Sequence, residues 1–485
     1  MAFITREALF SILCGVLVGL LITGQDLLFG FTGLIQSALG NADYIWVIGI
    51  EVFIGIMVAF FQKSGAIEAV ANKLNEKLHI TPRIAQIMGA ALGILVFFSD
   101  YFSPLFVGNV MRPITDKAKV SREKLAWLCD CTSAPVCITL PFTAWGVYVA
   151  GLVVGFGTFA TAEAGQDAVI HSIPFQLYGI LTIVMILLVA LGFLPDYGPM
   201  KKAEDRALLT GKLFRDGAKI RREIEQEELP EGAKPSIWNM LVPVIVLLVF
   251  IFVGLFYTGD IKTNGIFGAL ANGSSLRALD TAFILASISA IIMGMISKVW
   301  NFKKALSTFI EGCTGMMEVL MILMLAWGIG SICSACGTST WIVSTCESFL
   351  TPTSMCAIIF IAACLTSFST GSSWSVFAIF IPIAVSLAIS IGAPVGMAIG
   401  VVLSGGIFGD HCSPSSDTTV MSSMGSSCDH IDHVRTQLPY ALTVAGSSLV
   451  GYIVSGLMKG GAFVGLAITL VLICLVSFLL NKHVG

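Results

Sequence analysis

The sequence predicts an all-α polytopic membrane protein, and its composition, its apolar segments and its charge distribution are the observations that predict it. Of the 485 residues, 56% are hydrophobic and 12% are charged, with a mean hydropathy of +0.90. A water-soluble globular protein of this size would not have this balance. Apolar segments of about 20 residues recur along the chain, which is the length that a helix needs to cross about 30 Å of hydrocarbon.

About ten segments are predicted to cross the bilayer as helices, since helices satisfy their backbone hydrogen bonds internally. They are 7–23, 44–62, 124–155, 173–194, 237–257, 280–297, 314–332, 395–424, 438–457 and 462–480. The first follows Arg6 without a small-residue cleavage signal, so we expect a retained helix rather than a signal peptide. Most of the 13 cysteines lie in apolar segments without paired spacing, and we interpret them as small core residues.

Two further apolar stretches are predicted to form re-entrant hairpins, because polar residues interrupt each of them near its middle. Residues 99–104 interrupt stretch 84–111, and residues 369–374 interrupt stretch 355–390. Irregular polar backbone is tolerated at membrane depth only where protein or a cavity surrounds it. Both hairpins are therefore expected to lie inside the helix bundle.

The distribution of basic residues predicts the orientation of the chain. With a cytoplasmic N-terminus and two hairpins that return to the side they left, only Lys262, Arg277 and Lys459 of the 27 Lys and Arg residues lie outside. A full crossing by 84–111 would instead separate the basic segment 112–124 from the basic segment before the hairpin. We therefore predict a multi-pass protein of a bacterial inner membrane with both termini in the cytoplasm.

An internal repeat divides the membrane part into two halves. The predicted units are a first repeat over 1–194, a solvated cytoplasmic linker over 195–236 and a second repeat over 237–485. The matching motifs are Glu51-Val52 with Glu318-Val319, Phe98-Ser99-Asp100 with Phe368-Ser369-Thr370, and Asp130 to Pro135 with Asp410 to Pro414. Since the single crossing 237–257 separates the halves, the second half is inverted relative to the first, which is a plan of secondary transporters.

Carboxylates within the membrane indicate where ions would bind. Each costs about 2.5–3.5 kcal/mol on insertion scales, so each needs a partner, an ion or a proton. Asp130 and Asp410 lie in segments that proline and neighbouring hydroxyls are expected to unwind. Unwound carbonyls, hydroxyls and carboxylates offer the oxygen ligands that Na⁺ prefers, and a structural polar hinge is the alternative. The predicted Na⁺ ligands are Asp100, Asp130, Thr132, Ser133, Asp410, Ser413 and Asp417.

Asp100 has its own alternative, since a carboxylate at the tip of the first hairpin is also suited to cap the turn. Glu51 and Glu318 occupy matching positions in the two repeats and suit proton coupling, although two protonated structural glutamates would fit equally well. His411 and Cys412 beside Asp410 favour a transition-metal site only weakly, because no paired ligand spacing accompanies them.

A small-solute pocket is the prediction for the second hairpin and a tryptophan of the first half. Its residues are Trp145, Ser372, Ser373 and Trp374, with ordinary helix packing as the alternative. The sequence has no Gly-x-Ser-x-Gly, His-Glu-x-x-His or P-loop motif, so no enzymatic activity is predicted. It also has no basic arm, so no nucleic-acid partner is expected.

The segment Gly409 to Val420 reads Gly-Asp-His-Cys-Ser-Pro-Ser-Ser-Asp-Thr-Thr-Val and resembles the signature segment of the NhaC family of Na⁺/H⁺ antiporters. Residues 100–116 and 130–137 resemble the first half of that family. The chain departs from the family pattern at Ser99, where an acid is common, and at Cys131, where serine is usual. The resemblance implies Na⁺ binding around the two unwound helices and exchange for H⁺ or coupling to an organic solute.

These observations and the resemblance predict Na⁺ as the coupling ion and Na⁺/H⁺ antiport by alternating access as the function. Na⁺-coupled transport of an amino acid or a small carboxylate is the alternative, favoured by the hydroxyls and tryptophan of the second hairpin. A passive channel would need a continuous polar pore, whereas the polar residues here form isolated clusters. A homodimer is expected only by analogy with similar folds.

Overall fold

The computed structural model is helical throughout its regular secondary structure and confirms the predicted fold class. It describes residues 8–317 and 351–484 except 41, 67–68, 70–79, 98, 101, 142, 158, 220–228, 231, 235 and 415, together with 320, 321, 324, 325, 328 and 332. The predicted crossing 314–332 is therefore described only in part, and Glu318 lies outside the described residues.

The described part of the first half, with the linker, contains eleven α-helices. They are α1 (Ala8–Ile22), α2 (Leu27–Leu39), α3 (Ala42–Lys63), α4 (Pro82–Leu95), α5 (Phe102–Lys117), α6 (Arg122–Cys131), α7 (Ala134–Thr139), α8 (Ala144–Val153), α9 (Ala162–Ser172), α10 (Leu177–Ala190) and the linker helix α11 (Gly198–Thr210). A short 3₁₀ turn, Ile173–Phe175, joins α9 to α10.

The described part of the second half contains ten more. They are α12 (Trp238–Thr258), α13 (Ile261–Asn272), α14 (Ser275–Ile296), α15 (Phe302–Gly315), α16 (Pro352–Thr370), α17 (Ser373–Ser390), α18 (Val395–Cys412), α19 (Asp417–Gly425), α20 (His430–Leu457) and α21 (Ala462–Val484).

Among the described residues, helix length and composition give fewer crossings than the sequence predicted. Within the described residues six helices are long and apolar enough to cross a membrane, or up to nine spans if each of three bent helix pairs counts as one. Helix α2 was not predicted. It follows α1 at a bend of 118°. It begins after Asp26 because the side chain of Asp26 accepts hydrogen bonds from the backbone amides of Leu28 and Phe29. The predicted ten crossings are thus not confirmed as a count.

The two predicted hairpins differ in the length of their helical arms. Helices α4 and α5 have 14 and 16 residues, about 21 and 24 Å, which is too short to cross about 30 Å of hydrocarbon. Helices α16 and α17 have 19 and 18 residues, so the second hairpin has longer arms. Gly371 ends α16 with a φ of +69° and donates its amide to Ser367, which reverses the chain before α17.

Both predicted helix breaks are present. Helix α6 ends at Cys131, and α7 begins at Ala134 with Pro135 in its first turn. Helix α18 ends at Cys412, and α19 begins at Asp417 after a non-helical segment that contains Pro414. Proline lacks the amide hydrogen that a continuing helix would need, so each break occurs where the sequence predicts it.

The first hairpin packs directly on the second broken helix through two glycines. A Cβ atom on Gly108 of α5 would lie 2.3 Å from the carbonyl carbon of Gly425 in α19, and one on Gly425 would lie 2.5 Å from the carbonyl oxygen of Pro104. This backbone contact holds α19 against α5. It therefore fixes the position of the helix that supplies hydroxyls to the buried carboxylates described below.

We expect Gly108→Ala to lower the free energy of unfolding by about 1–3 kcal/mol, because the added methyl group must push two backbones apart. Thermal unfolding of the purified protein in detergent measures this. Gly446→Ala is the matched control, since Gly446 of α20 has open space where a Cβ would be. Equal melting temperatures for the two variants would contradict the close approach.

The linker helix α11 buries a carboxylate against α6. Glu204 accepts a hydrogen bond from the amide of Ser121, the N-cap residue of α6, at 2.8 Å. Burial raises the pKa of Glu204 to about 7, Lys124 opposes the rise, and the nearby carboxylate of Asp196 adds to it. The folded protein therefore binds more protons at this residue than the unfolded chain between about pH 4.5 and pH 7.

Because the folded state gains the extra proton, Glu204 should make stability fall as pH rises through that window, by about 3 kcal/mol in total. Glu204→Gln should abolish this fall. Melting temperatures measured from pH 4.5 to pH 8 test it, with Asp205→Asn, an exposed neighbour on α11, as the control that keeps the wild-type slope. A wild-type slope in Glu204→Gln would refute the assignment.

Candidate functional site

Asp130 lies one turn before the break between α6 and α7 and is fully buried. Its carboxylate accepts hydrogen bonds from the Gln437 amide at 2.7 Å and from the hydroxyls of Thr419 and Ser422 at 3.2 Å each. The Nε2 atom of His433 lies 3.8 Å from the same carboxylate. Three neutral donors from α19 and α20 thus surround a charge that would otherwise be unsatisfied in the bundle.

Asp410 lies near the end of α18 and has a similar environment. Its two oxygens accept hydrogen bonds from the hydroxyls of Ser373 at 2.7 Å and Ser416 at 2.5 Å. Ser373 begins α17, so the second hairpin reaches this carboxylate directly. The second hairpin and the second broken helix therefore come together at Ser373, which the sequence assigned to a solute pocket.

The two carboxylates belong to one cluster. Thr419 donates to Asp130 and also lies 3.5 Å from the backbone carbonyl of Asp410, and the charges of Asp130 and Asp410 are close enough to repel each other. Both helix breaks therefore meet at a site rich in carboxylate, hydroxyl and carbonyl oxygens. Oxygens of these kinds are hard ligands and suit an alkali cation.

The remaining predicted ligands have other partners in this arrangement. The hydroxyl of Thr132 donates to the carbonyl of Leu128, that of Ser133 to the carbonyl of Asp130, and that of Ser413 to the carbonyl of Phe368. Their hydroxyl oxygens still have lone pairs available, so a role as ligands stays a prediction. Asp417 is the first residue of α19, and its side chain lies outside the described residues.

Asp100 and Glu51 form a second acidic cluster in the first half. Asp100 lies in the turn of the first hairpin and is 4% exposed, and its charge acts on Glu51 of α3. Glu51 is fully buried, and neither of its carboxyl oxygens has a hydrogen-bond partner among the described residues. Asp100 thus acts electrostatically on Glu51, and its role as a Na⁺ ligand stays a prediction.

The predicted solute residues form an aromatic cluster. The rings of Trp145 and Trp374 stack with centroids 4.0 Å apart, and the Tyr148 hydroxyl donates to the carbonyl of Trp374 at 2.9 Å. The indole N–H groups of both tryptophans are buried and have no acceptor among the described residues. Ser372 precedes α17 as its N-cap residue, while Ser373 contacts Asp410 instead.

Sequence reasoning missed the polar face of α20. His430, His433 and Gln437 lie at positions i, i+3 and i+7 of this helix, and all are buried. They fell just before the apolar segment 438–457, whereas the helix extends to His430 and has 28 residues. Their helical spacing is the signal that would have identified them as an inward-facing polar stripe.

His411 also has a defined environment. Its Nδ1 atom lies 2.8 Å from the Tyr178 hydroxyl, and its Nε2 atom lies 3.2 Å from the sulfur of Cys131. The Gln437 amide donates to the carbonyl of His411 as well as to Asp130. In the described part of the chain no group of three His, Cys, Asp or Glu residues has the arrangement of a metal site.

Comparison with known proteins assigns the chain to a family. The model of the Na⁺/H⁺ antiporter family matches residues 136–457, which include the second broken helix and the polar face of α20. The chain belongs to the Na⁺/H⁺ antiporter family. This confirms the resemblance that the segment from Gly409 to Val420 indicated and makes the chain a secondary transporter.

Three relatives have similar sequences. An uncharacterized protein of Haemophilus influenzae is 31% identical over the whole chain and 93% of its own length. The arginine/ornithine antiporter ArcD of Halobacterium salinarum is 27% identical over 48% of this chain and 44% of its own length. The malate-2H⁺/Na⁺-lactate antiporter of Bacillus subtilis is 25% identical over 38% of both.

Two solved structures share the fold. The YdaH transporter of Alcanivorax borkumensis matches with a TM-score of 0.58 at 11% identity, over 98% of this chain and 99% of that one. The MtrF transporter of Neisseria gonorrhoeae matches with a TM-score of 0.52 at 13% identity, over 94% and 85%. At this identity the likeness concerns the fold alone.

Gln437→Leu should lower the free energy of unfolding by about 1–3 kcal/mol, because it removes one hydrogen-bond donor from the buried Asp130 carboxylate and one from the His411 carbonyl. Thermal unfolding in Na⁺-free detergent solution measures the loss. Ser448→Ala is the control on the same helix, since its buried hydroxyl has no partner among the described residues. If both variants unfold alike, the amide of Gln437 does not stabilise the site.

Proposed function

We propose that this chain exchanges Na⁺ for H⁺ by alternating access and that Asp130 and Asp410 are the residues that bind the cation. The observation that supports this most directly is the meeting of two buried carboxylates at two helix breaks, where hydroxyl and amide groups donate hydrogen bonds to them. Membership of the Na⁺/H⁺ antiporter family agrees with it.

The chemistry of exchange follows from the charges. Two nearby carboxylates in a medium of low dielectric constant repel each other unless a cation or a proton reduces their charge. A Na⁺ ion would take the positions now satisfied by donors such as Ser373, Thr419 and Ser416, whose hydroxyls can rotate and offer lone pairs instead. A proton on either carboxylate removes the charge that attracts Na⁺, so the two cations exclude each other.

Glu51 and Asp100 are the proposed second proton-coupling group. Both carboxyl groups are buried and their charges interact, and Glu51 has no hydrogen-bond partner among the described residues. Such a pair is more stable with one bound proton than with both carboxylates charged. The matching role of Glu318 is proposed from sequence alone.

A second function, Na⁺-coupled exchange of an organic solute, is supported by the aromatic cluster. Trp145 and Trp374 both present buried indole N–H groups without acceptors among the described residues, and such groups favour a ligand with carboxylate or carbonyl oxygens. The names of two relatives, the arginine/ornithine antiporter and the malate-2H⁺/Na⁺-lactate antiporter, also favour an amino acid or a small carboxylate.

The proposed setting is a bacterial inner membrane with both termini and the linker in the cytoplasm. The concentration of Lys and Arg residues on the linker side supports this orientation. Helix α6 also meets the linker on one face of the molecule, where the backbone amide of Arg122 donates to the carbonyl of Leu213 at 3.0 Å. We call this face the linker face.

Asp130→Asn and Asp410→Asn should each reduce Na⁺-driven proton flux by about 100-fold or more, because an amide cannot supply the charge that holds the ion. Purified protein in liposomes with an internal pH dye and an imposed Na⁺ gradient measures the flux. Asp216→Asn is the control, since Asp216 is an exposed acid paired with Lys212. Wild-type flux in either site variant, with correct folding, would refute the assignment.

The same liposomes separate the two functions. Proton movement driven by Na⁺ without added solute supports simple antiport. A silent dye that responds only after an amino acid or a dicarboxylate is added would favour solute exchange, and Trp374→Phe should then weaken the response by removing the indole N–H.

A further inference from the structure

A cavity of about 330 Å³ opens on the linker face, away from the buried carboxylates. The first turns of α11 and of α6 form two of its walls, and the first turns of α20 form a third. Its charged lining consists of Glu123, Lys202, Arg206, Arg215, Asp432 and Arg435. Four cationic side chains and two carboxylates therefore surround one space large enough for a small ligand or a lipid headgroup.

Both acids of this cavity already have a basic partner. Arg206 Nη2 donates to the two carboxylate oxygens of Glu123 at 2.8 and 2.9 Å. Arg215 Nε donates to the two oxygens of Asp432 at 3.0 and 3.1 Å. Two positive charges remain, because Lys202 and Arg435 form no ion pair with any described residue. The cavity therefore has a surplus of positive charge and attracts an anion.

The start of the linker helix adds to this attraction. Helix α11 begins at Gly198, its second residue is Pro199, and both line the cavity. The N-cap residue Tyr197 makes no side-chain hydrogen bond to the helix. The positive end of a helix of 13 residues therefore faces the same space as the two basic side chains without an ion pair.

The surroundings indicate that the cavity lies near the level of lipid headgroups. Leu209 at the end of α11 is 81% exposed, and Phe193, just before the helix, is 67% exposed. Apolar side chains with this exposure are stable in contact with lipid. A basic pocket next to apolar surface of this kind fits a phosphate group, since arginine and lysine side chains bind phosphate oxygens by charge-assisted hydrogen bonds.

We propose that this cavity binds a phosphate group, held by Lys202 and Arg435 and by the start of α11. The group belongs either to an anionic phospholipid or to a free phosphate compound. Binding would bridge the linker helix to α20, the helix that carries Gln437, so occupancy is expected to stiffen the support of the cation site. The binding itself does not depend on which ion the transporter exchanges.

The test uses the full-length protein, purified in a neutral detergent and stripped of lipid. Melting temperature is measured against added phosphatidylglycerol, phosphatidylcholine or inorganic phosphate at low ionic strength. We expect phosphatidylglycerol to raise the melting temperature and phosphatidylcholine, which has no net charge, to raise it much less. A rise with inorganic phosphate alone would identify a free phosphate compound as the ligand.

Variants connect the effect to the cavity. Lys202→Gln combined with Arg435→Gln should raise the concentration of the effective probe needed for a half-maximal shift by about 10-fold or more. Lys201→Gln combined with Lys212→Gln removes the same charge from residues that do not line the cavity, and it should respond like the wild type. Because Lys202 and Arg435 are exposed, the variants should fold, and size-exclusion chromatography checks this.

Two results would overturn the proposal. One is the absence of a shift with all three probes, and the other is an equal shift in the cavity variant and the matched control. If the double variant does not fold, the single variants Lys202→Gln and Arg435→Gln provide the same comparison. Na⁺-driven flux is not used as a readout, so this proposal and the proposed antiport can fail separately.

Discussion

The interaction on which the site depends is the solvation of buried carboxylates by neutral donors. An ionised carboxylate within a bilayer costs several kcal/mol unless hydrogen bonds or a counter-charge compensate. Asp130 and Asp410 receive hydroxyl and amide hydrogen bonds from α17, α19 and α20. Thr419 and Ser422 of α19 reach Asp130 because α18 ends before Pro414, so the second helix break, the hairpin contact and the polar face of α20 are parts of one arrangement.

Neutral donors have a functional consequence that a lysine or arginine would not have. A permanent positive charge next to Asp130 would occupy the place of a transported cation, whereas hydroxyls and amides can be exchanged for one at modest cost. Gln437 illustrates this, since its amide contacts both Asp130 and the carbonyl of His411. The site can therefore be stable without a bound cation and still bind one.

Close backbone contact transmits position between the two halves. Gly108 and Gly425 allow α5 and α19 to approach more closely than side chains would permit. On the linker face, Glu204 and the ion pairs of Arg206 and Arg215 attach the linker to α6 and α20. Both sets of contacts involve helices that hold the carboxylate cluster. A change at the glycine contact or on the linker face is therefore expected to shift the cation site through short, stiff segments.

The sequence by itself determined the all-helical membrane fold, the two hairpins, the two helix breaks and the family. These features depend on local properties, namely apolar length, proline positions and a long specific motif around Asp410. Tertiary structure alone decided which polar groups meet: Ser373 donates to Asp410, and Gln437, more than 300 residues away along the chain, donates to Asp130. Such pairings depend on how helices pack across the bundle, and spacing along the chain carries no information about them.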